Sequence, residues 1–220
     1  ISANSKFDQE RAGTYMFDFW EETGFNLFQK EGGINSLTGF KSIGLIGTKN
    51  KYGIENLAIF NSFVHIGANP ALLGFVSRPD PHLRHTVVNI AETLYYTVNH
   101  ITEDIYQQAH QTSARYPANV SEFDACGLSP EFKDGFYAPF VKESNIQIAL
   151  ELKEIIDIKT NNTRLVIGEI LGIYFPEANL NEDGYLDLEK SGSIAGSGLD
   201  GYHKTNQLGR LSYAKPDPFT

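Results

Sequence analysis

The chain has 220 residues, a formal net charge of -9, 41% apolar and 20% charged residues, the profile of a globular protein large enough to bury a real core. The acidic balance excludes a duplex nucleic-acid binder, which needs a basic face, yet a few local cations and amides suffice to hold one phosphorylated small molecule. The single cysteine, Cys126, permits no intrachain disulfide and fits a reducing cytoplasm, while no run reaches the ~20 apolar residues of a membrane span.

The opening residues "ISANSKFDQERAG" lack the basic-then-apolar pattern of a signal peptide. Residues 14–30, "TYMFDFWEETGFNLFQK", are rich in aromatics and read as an early helix or an arm. Residues 1–40 are therefore taken as an N-terminal segment packed on one domain spanning 41–220. "KSIGLIGTKN" reads as a strand and "NKYG" as a turn. In "NLAIFNSFVHIGANPALLGF" strand alternation puts Asn56, Ala58, Phe60, Ser62 and Val64 on one face and Leu57, Ile59, Asn61, Phe63 and His65 on the other. Both faces mix apolar bulk with amide, hydroxyl or imidazole groups, which an ordinary core strand does not do.

Asn69-Pro70 interrupts the chain before "ALLGFVS", another strand, and the prolines of "RPDPHLR" make it a loop. Thr86 has the character of a helix N-cap for "VVNIAET", and "LYYTVNHI" returns as a strand. Thr102 reads as the next N-cap, with a helix to about Arg115 before Pro117. Ser121 to Cys126 forms a short helix stopped by Gly127. "NIQIALELKEIIDI" aligns Ile146, Ile148, Leu150 and Leu152 at period two, "KTNNTR" is a hairpin turn and "LVIGEILGIYF" is the returning strand. A short "YLDL" and a final "LGRLSY" complete a list in which strands outnumber helices, favouring an antiparallel barrel or α+β fold.

Three motifs fail on context. Gly196-Ser197-Gly198-Leu199-Asp200-Gly201 matches GxGxxG but has neither the preceding apolar strand nor the following helix. "NLNEDGYLDLEK" resembles a calcium loop, but Lys190 occupies the position that requires a bidentate Glu. The six histidines form no close metal-ligand pattern. What survives is "LRHTVVNIAE", which sets Arg84, His85 and Thr86 at a helix mouth. There the free amides and helix dipole suit a phosphate, although an N-cap threonine beside solvated Arg and His explains the same pattern.

The order of parts resembles the flavin reductase-like family of FMN-binding split barrels. "GTKNKYGIEN", "NLAIFNSF", "NPALLGF", "LRHTVVNI", "YYTVN" and "SEFDACGL" follow that family's sequence of motifs, and the likeness runs over residues 41–213. Ile59 stands where the family often has Pro, Asn61 where it often has Ser, and Arg84-His85-Thr86 replaces Lys-Asp-Thr. Arg for Lys keeps the charge and improves bidentate phosphate contact.

The resemblance implies a mainly β, antiparallel split β-barrel that binds FMN. Asn56, Ala58, Phe60, Asn61 and Ser62 would contact the ribityl and phosphate groups, and Arg84, His85 and Thr86 the phosphate. Thr48 and Asn99 would reach the ring edge, and His100 and His203 the nicotinamide side. It also implies hydride transfer from NADH or NADPH, a homodimer, and a small-molecule or protein electron acceptor, with no nucleic acid or membrane partner. A non-enzymatic FMN carrier, a split barrel for another phosphorylated cofactor or haem, and a dimeric structural module are the alternatives.

Overall fold

The computed structural model describes residues 33–79 and 85–216; the aromatic segment 14–30 and Arg84 lie outside them. After a helical turn, α1 (Gly33–Ser36), come β1 (Lys41–Ser42), β2 (Gly44–Lys49), β3 (Glu55–Phe60), β4 (Phe63–Ala68) and β5 (Ala71–Ser77). Helix α2 (His85–Thr93), β6 (Tyr95–His100), α3 (Tyr106–Gln111) and α4 (Glu122–Cys126) follow. The chain then forms β7 (Pro130–Glu131), β8 (Phe140–Val141), the long β9 (Gln147–Ile158) and β10 (Thr163–Tyr174), and finally β11 (Ala195–Ser197) and β12 (Gly201–His203).

Seven strands form one antiparallel sheet in the order β3-β2-β6-β9-β10-β5-β4. Its two end strands, β3 and β4, are consecutive in the chain and joined through Asn61 and Ser62. The Ser62 hydroxyl donates to the Val76 carbonyl at 2.7 Å and the Val76 N–H reaches the Ser62 carbonyl at 3.3 Å, which extends the β4–β5 ladder by one residue. A three-stranded sheet, β1-β11-β12, packs beside it. The fold is mainly β with a few short helices, as the sequence leads one to expect.

Alternation along the strands feeds two cores rather than one core and a wet face. Ile46, Phe75, Tyr96, Val98, Leu150 and Val166 fill the barrel. Leu45 and Leu57 turn the other way and pack with Ile101, Ile105, Ala109 and Phe123 beneath α3 and α4. That is why β2 reads as a continuous apolar run, with five of its six residues buried. Each fully buried Phe or Leu contributes ~1.5–3 kcal/mol of transfer free energy. Gly47 is required where β2 crosses the β8 approach, because a Cβ there would collide with the Pro139 carbonyl oxygen.

Four local readings are corrected. Asn56 to Val64 is not one strand: the chain leaves the ladder at Asn61 and Ser62, so Ser62 does not share a face with Asn56 and Ala58. Thr86 is not an N-cap but lies inside the first turn of α2, its hydroxyl drawn away to Asn56. Thr102 is buried and bridged to Ser193, so α3 begins only at Tyr106 and ends at Gln111. "YLDL" and "LGRLSY" are not strands; the late strands are β11 and β12, a hairpin built from the GxGxxG-like segment with Gly198 at φ +58°. Its register, Gly196 opposite Lys41, is set by β1 some 150 residues upstream, which no local pattern reveals.

Candidate functional site

Strand β3 ends the seven-stranded sheet, so among the described residues one side of its backbone has no neighbouring strand. The Leu57 N–H points to that side, since it donates to Glu122 Oε2 at 3.0 Å. Antiparallel ladders alternate, so Ile59 presents its N–H and C=O the same way. Along this edge runs a cavity of about 770 Å3, walled by Asn56, Ala58, Ile59 and Asn61 on one side. The α3–α4 loop and the β11–β12 hairpin form the opposite wall, with His110, Arg115 and Tyr202. His110 Nδ1 lies 2.8 Å from the Tyr202 hydroxyl. Burial and the nearby Asp200 raise the Tyr202 pKa, so that hydroxyl stays protonated.

One end of the cavity is built from a buried polar cluster joining four elements. The Thr86 hydroxyl donates to Asn56 Oδ1 at 2.9 Å, and Thr48 Oγ1 lies 3.3 Å from the same oxygen. Asn89 Nδ2 donates to Thr48 Oγ1 at 3.0 Å, and Asn56 Nδ2 to Glu122 Oε2 at 2.8 Å. Every donor in this chain is directed toward the carboxylate, which is 5% exposed. Asn56 therefore acts as a joint: its amide nitrogen is committed to Glu122, which leaves its oxygen to gather the two threonines. The Thr86 hydroxyl proton is spent on this joint and is not available to a ligand.

The residues singled out from sequence divide accordingly. Asn56, Ala58, Phe60, Asn61, His85 and Thr86 all line the large cavity. Ser62 lines a smaller neighbouring one. Thr48 is buried within the polar cluster. Asn99 is wholly buried and saturated: its Nδ2 donates to the Leu45 carbonyl and to Thr97, and its Oδ1 accepts from the Val141 N–H. It lines neither cavity and has no group left for a ring edge. His100 is held by Ser193 at 2.8 Å, with its pKa lowered to about 4 by burial. His203 is held by Ser197 at 2.8 Å and packs edge-on against Phe40. Neither histidine is among the cavity-lining residues, whereas His110 and Tyr202 are.

The flavin reductase like domain matches residues 41–191. The chain belongs to the flavin reductase-like family. A split-barrel protein from Shewanella frigidimarina, described as a candidate flavin reductase, is 44% identical, with a TM-score of 0.84 over 91% of this chain and 100% of that one. A protein of Aquifex aeolicus is 29% identical over 80% of this chain and 84% of its own length. Flavoredoxin of Desulfovibrio vulgaris, at 20% identity and a TM-score of 0.70 over 81% of this chain and 94% of its own, shares the fold.

Sequence reasoning missed Glu122, Asn89 and Arg78. Asn89 stands three residues after Thr86, on the same helix face. Glu122 lies inside "SEFDACGL", a segment noted for its place in the family order rather than for its acid. Arg78 follows β5 and lines both cavities. The contribution of the β11–β12 hairpin had no local signal at all.

Removing the Glu122 carboxylate orphans the Asn56 amide and the Leu57 N–H, so Glu122→Ala is expected to cost about 2–4 kcal/mol in urea unfolding. Glu122→Gln, which keeps an acceptor, should cost roughly half of that or less. Equal losses would show that the network does not depend on that oxygen.

His100 gives a pH signature. Above pH 6.5 the imidazole is neutral in both folded and unfolded states. Below it the unfolded chain takes up a proton that the folded chain refuses until about pH 4, so stability is lost as pH falls through that window. The stability difference between pH 7 and pH 4.5 should shrink by about 2 kcal/mol in His100→Gln. An unchanged difference would remove His100 as its source.

Proposed function

We propose that this protein is an FMN-dependent oxidoreductase that takes hydride from NADH or NADPH and passes the electrons to a small-molecule or protein acceptor. The observation that carries this reading is the open edge of β3 along a cavity of about 770 Å3, a size typical of cofactor sites. The pyrimidine end of an isoalloxazine offers one N–H between two carbonyls. The N–H and C=O of Ile59 provide a complementary donor and acceptor on a rigid strand. Ala58, with only a methyl group, lets a planar ring approach the backbone.

The first amides of α2, together with His85 and the Thr86 backbone, suit the phosphate, and Arg84 and Arg78 supply the positive charge. Bound flavin supplies the hydride-accepting ring, and the chain supplies binding and orientation. No side-chain nucleophile is required. His110 and Tyr202, which line the cavity, would border the nicotinamide in this reading, in place of His100 and His203. The expected homodimer would cover the outer sheet face, where Val64, Ile66 and Ile156 are about two-fifths exposed.

The test is a visible spectrum after incubation with excess FMN and gel filtration. An oxidised-flavin spectrum should co-elute with the protein, and Arg84→Ala should weaken binding about tenfold, the loss of one charge-assisted contact. NADH or NADPH under nitrogen should then bleach it. Flavin retained without bleaching would make the protein a carrier. Colourless protein that also fails to accelerate NAD(P)H-dependent reduction of free FMN would contradict the reading.

A further inference from the structure

Glu122 lies within two hydrogen bonds of both elements that the flavin reading places at opposite ends of the ligand. Its Oε2 accepts from the Leu57 N–H at 3.0 Å, two residues before Ile59 on the β3 edge. The same atom accepts from Asn56 Nδ2 at 2.8 Å, and Asn56 Oδ1 takes the Thr86 hydroxyl at 2.9 Å in the first turn of α2. A second tie from α2 runs from Asn89 Nδ2 to Thr48 Oγ1 on β2 at 3.0 Å. All five of these polar side chains are buried. Glu122 itself is fixed from below, because its neighbour Phe123 packs wholly buried with Leu57 in one core, while Ile90 anchors α2 in the other. Apolar packing is non-directional and tolerates small shifts between elements, whereas hydrogen bonds of good length and angle do not.

We infer that Glu122 is a positioning residue that sets the spacing between the β3 edge, which meets the flavin ring, and the first turn of α2, which meets the phosphate. The inference rests on the flavin reading. A ring tethered to a phosphate gains from both contacts together only where their separation is held. Thr86 acts through the same tie: its hydroxyl proton goes to Asn56, so it serves the phosphate by where it holds the backbone of α2. What Glu122 supplies is the reach of an acceptor oxygen. Both donors converge on one oxygen, so a glutamine carbonyl of equal length serves both, and an aspartate, one methylene shorter, does not. Charge alone would act the other way, since a carboxylate near a phosphate repels it and its removal would tighten FMN.

The test measures Kd for FMN and for riboflavin, which has the same ring and ribityl chain without the phosphate, by fluorescence titration of the full chain. The ratio of the two constants isolates the phosphate contribution, and a general loss of folded protein weakens both ligands alike without moving it. Glu122→Gln should keep the wild-type ratio within about twofold, while Glu122→Asp and Glu122→Ala should reduce it about tenfold. Glu122→Asp retains a carboxylate and covers the case in which Glu122→Ala does not fold. Thr86→Val combined with Glu122→Asp should lower the ratio no further than either change alone, because both cut one tie. Additive losses, a ratio unchanged in Glu122→Asp, a ratio raised in Glu122→Gln or a wild-type ratio near one would each overturn the inference and leave the flavin reading standing. Wild-type protein that binds neither flavin would overturn both.

Discussion

The site depends on one constraint: a sheet that curls without closing must end somewhere, and here it ends at β3. An edge strand carries unpaired N–H and C=O groups that a protein normally hides, charges or twists away. Here Glu122 takes the Leu57 N–H, and the next outward-facing residue, Ile59, lies beside a cavity. The edge stops where the chain leaves β3 at Phe60, and Ser62 already pairs with Val76 on the β5 side through its hydroxyl and its carbonyl. From Leu57 to Phe60 the backbone is held in register by β2, which a loop would not achieve.

Glu122 makes this arrangement affordable in polar terms. A buried carboxylate without partners would cost several kcal/mol, but this one accepts from a backbone amide and a side-chain amide and so orients the whole cluster. The cluster ties α2, β2, β3 and α4 together at one end of the cavity. The same commitment limits what those groups can do for a ligand, since a hydroxyl donating to Asn56 cannot also donate to a phosphate. Among the described residues, Arg78 and Arg115 are the arginines that line this cavity.

Much of this was legible in the sequence, and the remainder was hidden for identifiable reasons. The β9–β10 hairpin and the α4 helix with its Gly127 stop follow from local chemistry: period-two apolar residues, a turn sequence, and a left-handed glycine at φ +71°. Asn56 and Ala58 stood out because polar or small residues interrupt an apolar strand, and Thr86 because it stands at a helix mouth, and all three line the cavity. Asn99 and His100 were singled out by the family resemblance alone, and their side chains bond within the fold, Asn99 to backbone groups and His100 to Ser193. Alternation misled at Ser62, where two residues outside the ladder reset the faces. The opposite wall of the cavity was illegible because it is assembled by the pairing of β11 with β1, a contact whose determinants are far apart in sequence.

The most direct measurement is amide hydrogen exchange along β3 with and without FMN. The Ile59 amide, which has no partner among the described residues, should exchange readily in the free protein and become protected when the flavin is bound. The Ala58 and Phe60 amides, which face β2, should be protected in both states. Protection at Ile59 on addition of FMN would establish the edge as the contact surface; unchanged exchange at Ile59 while FMN is bound would contradict the account.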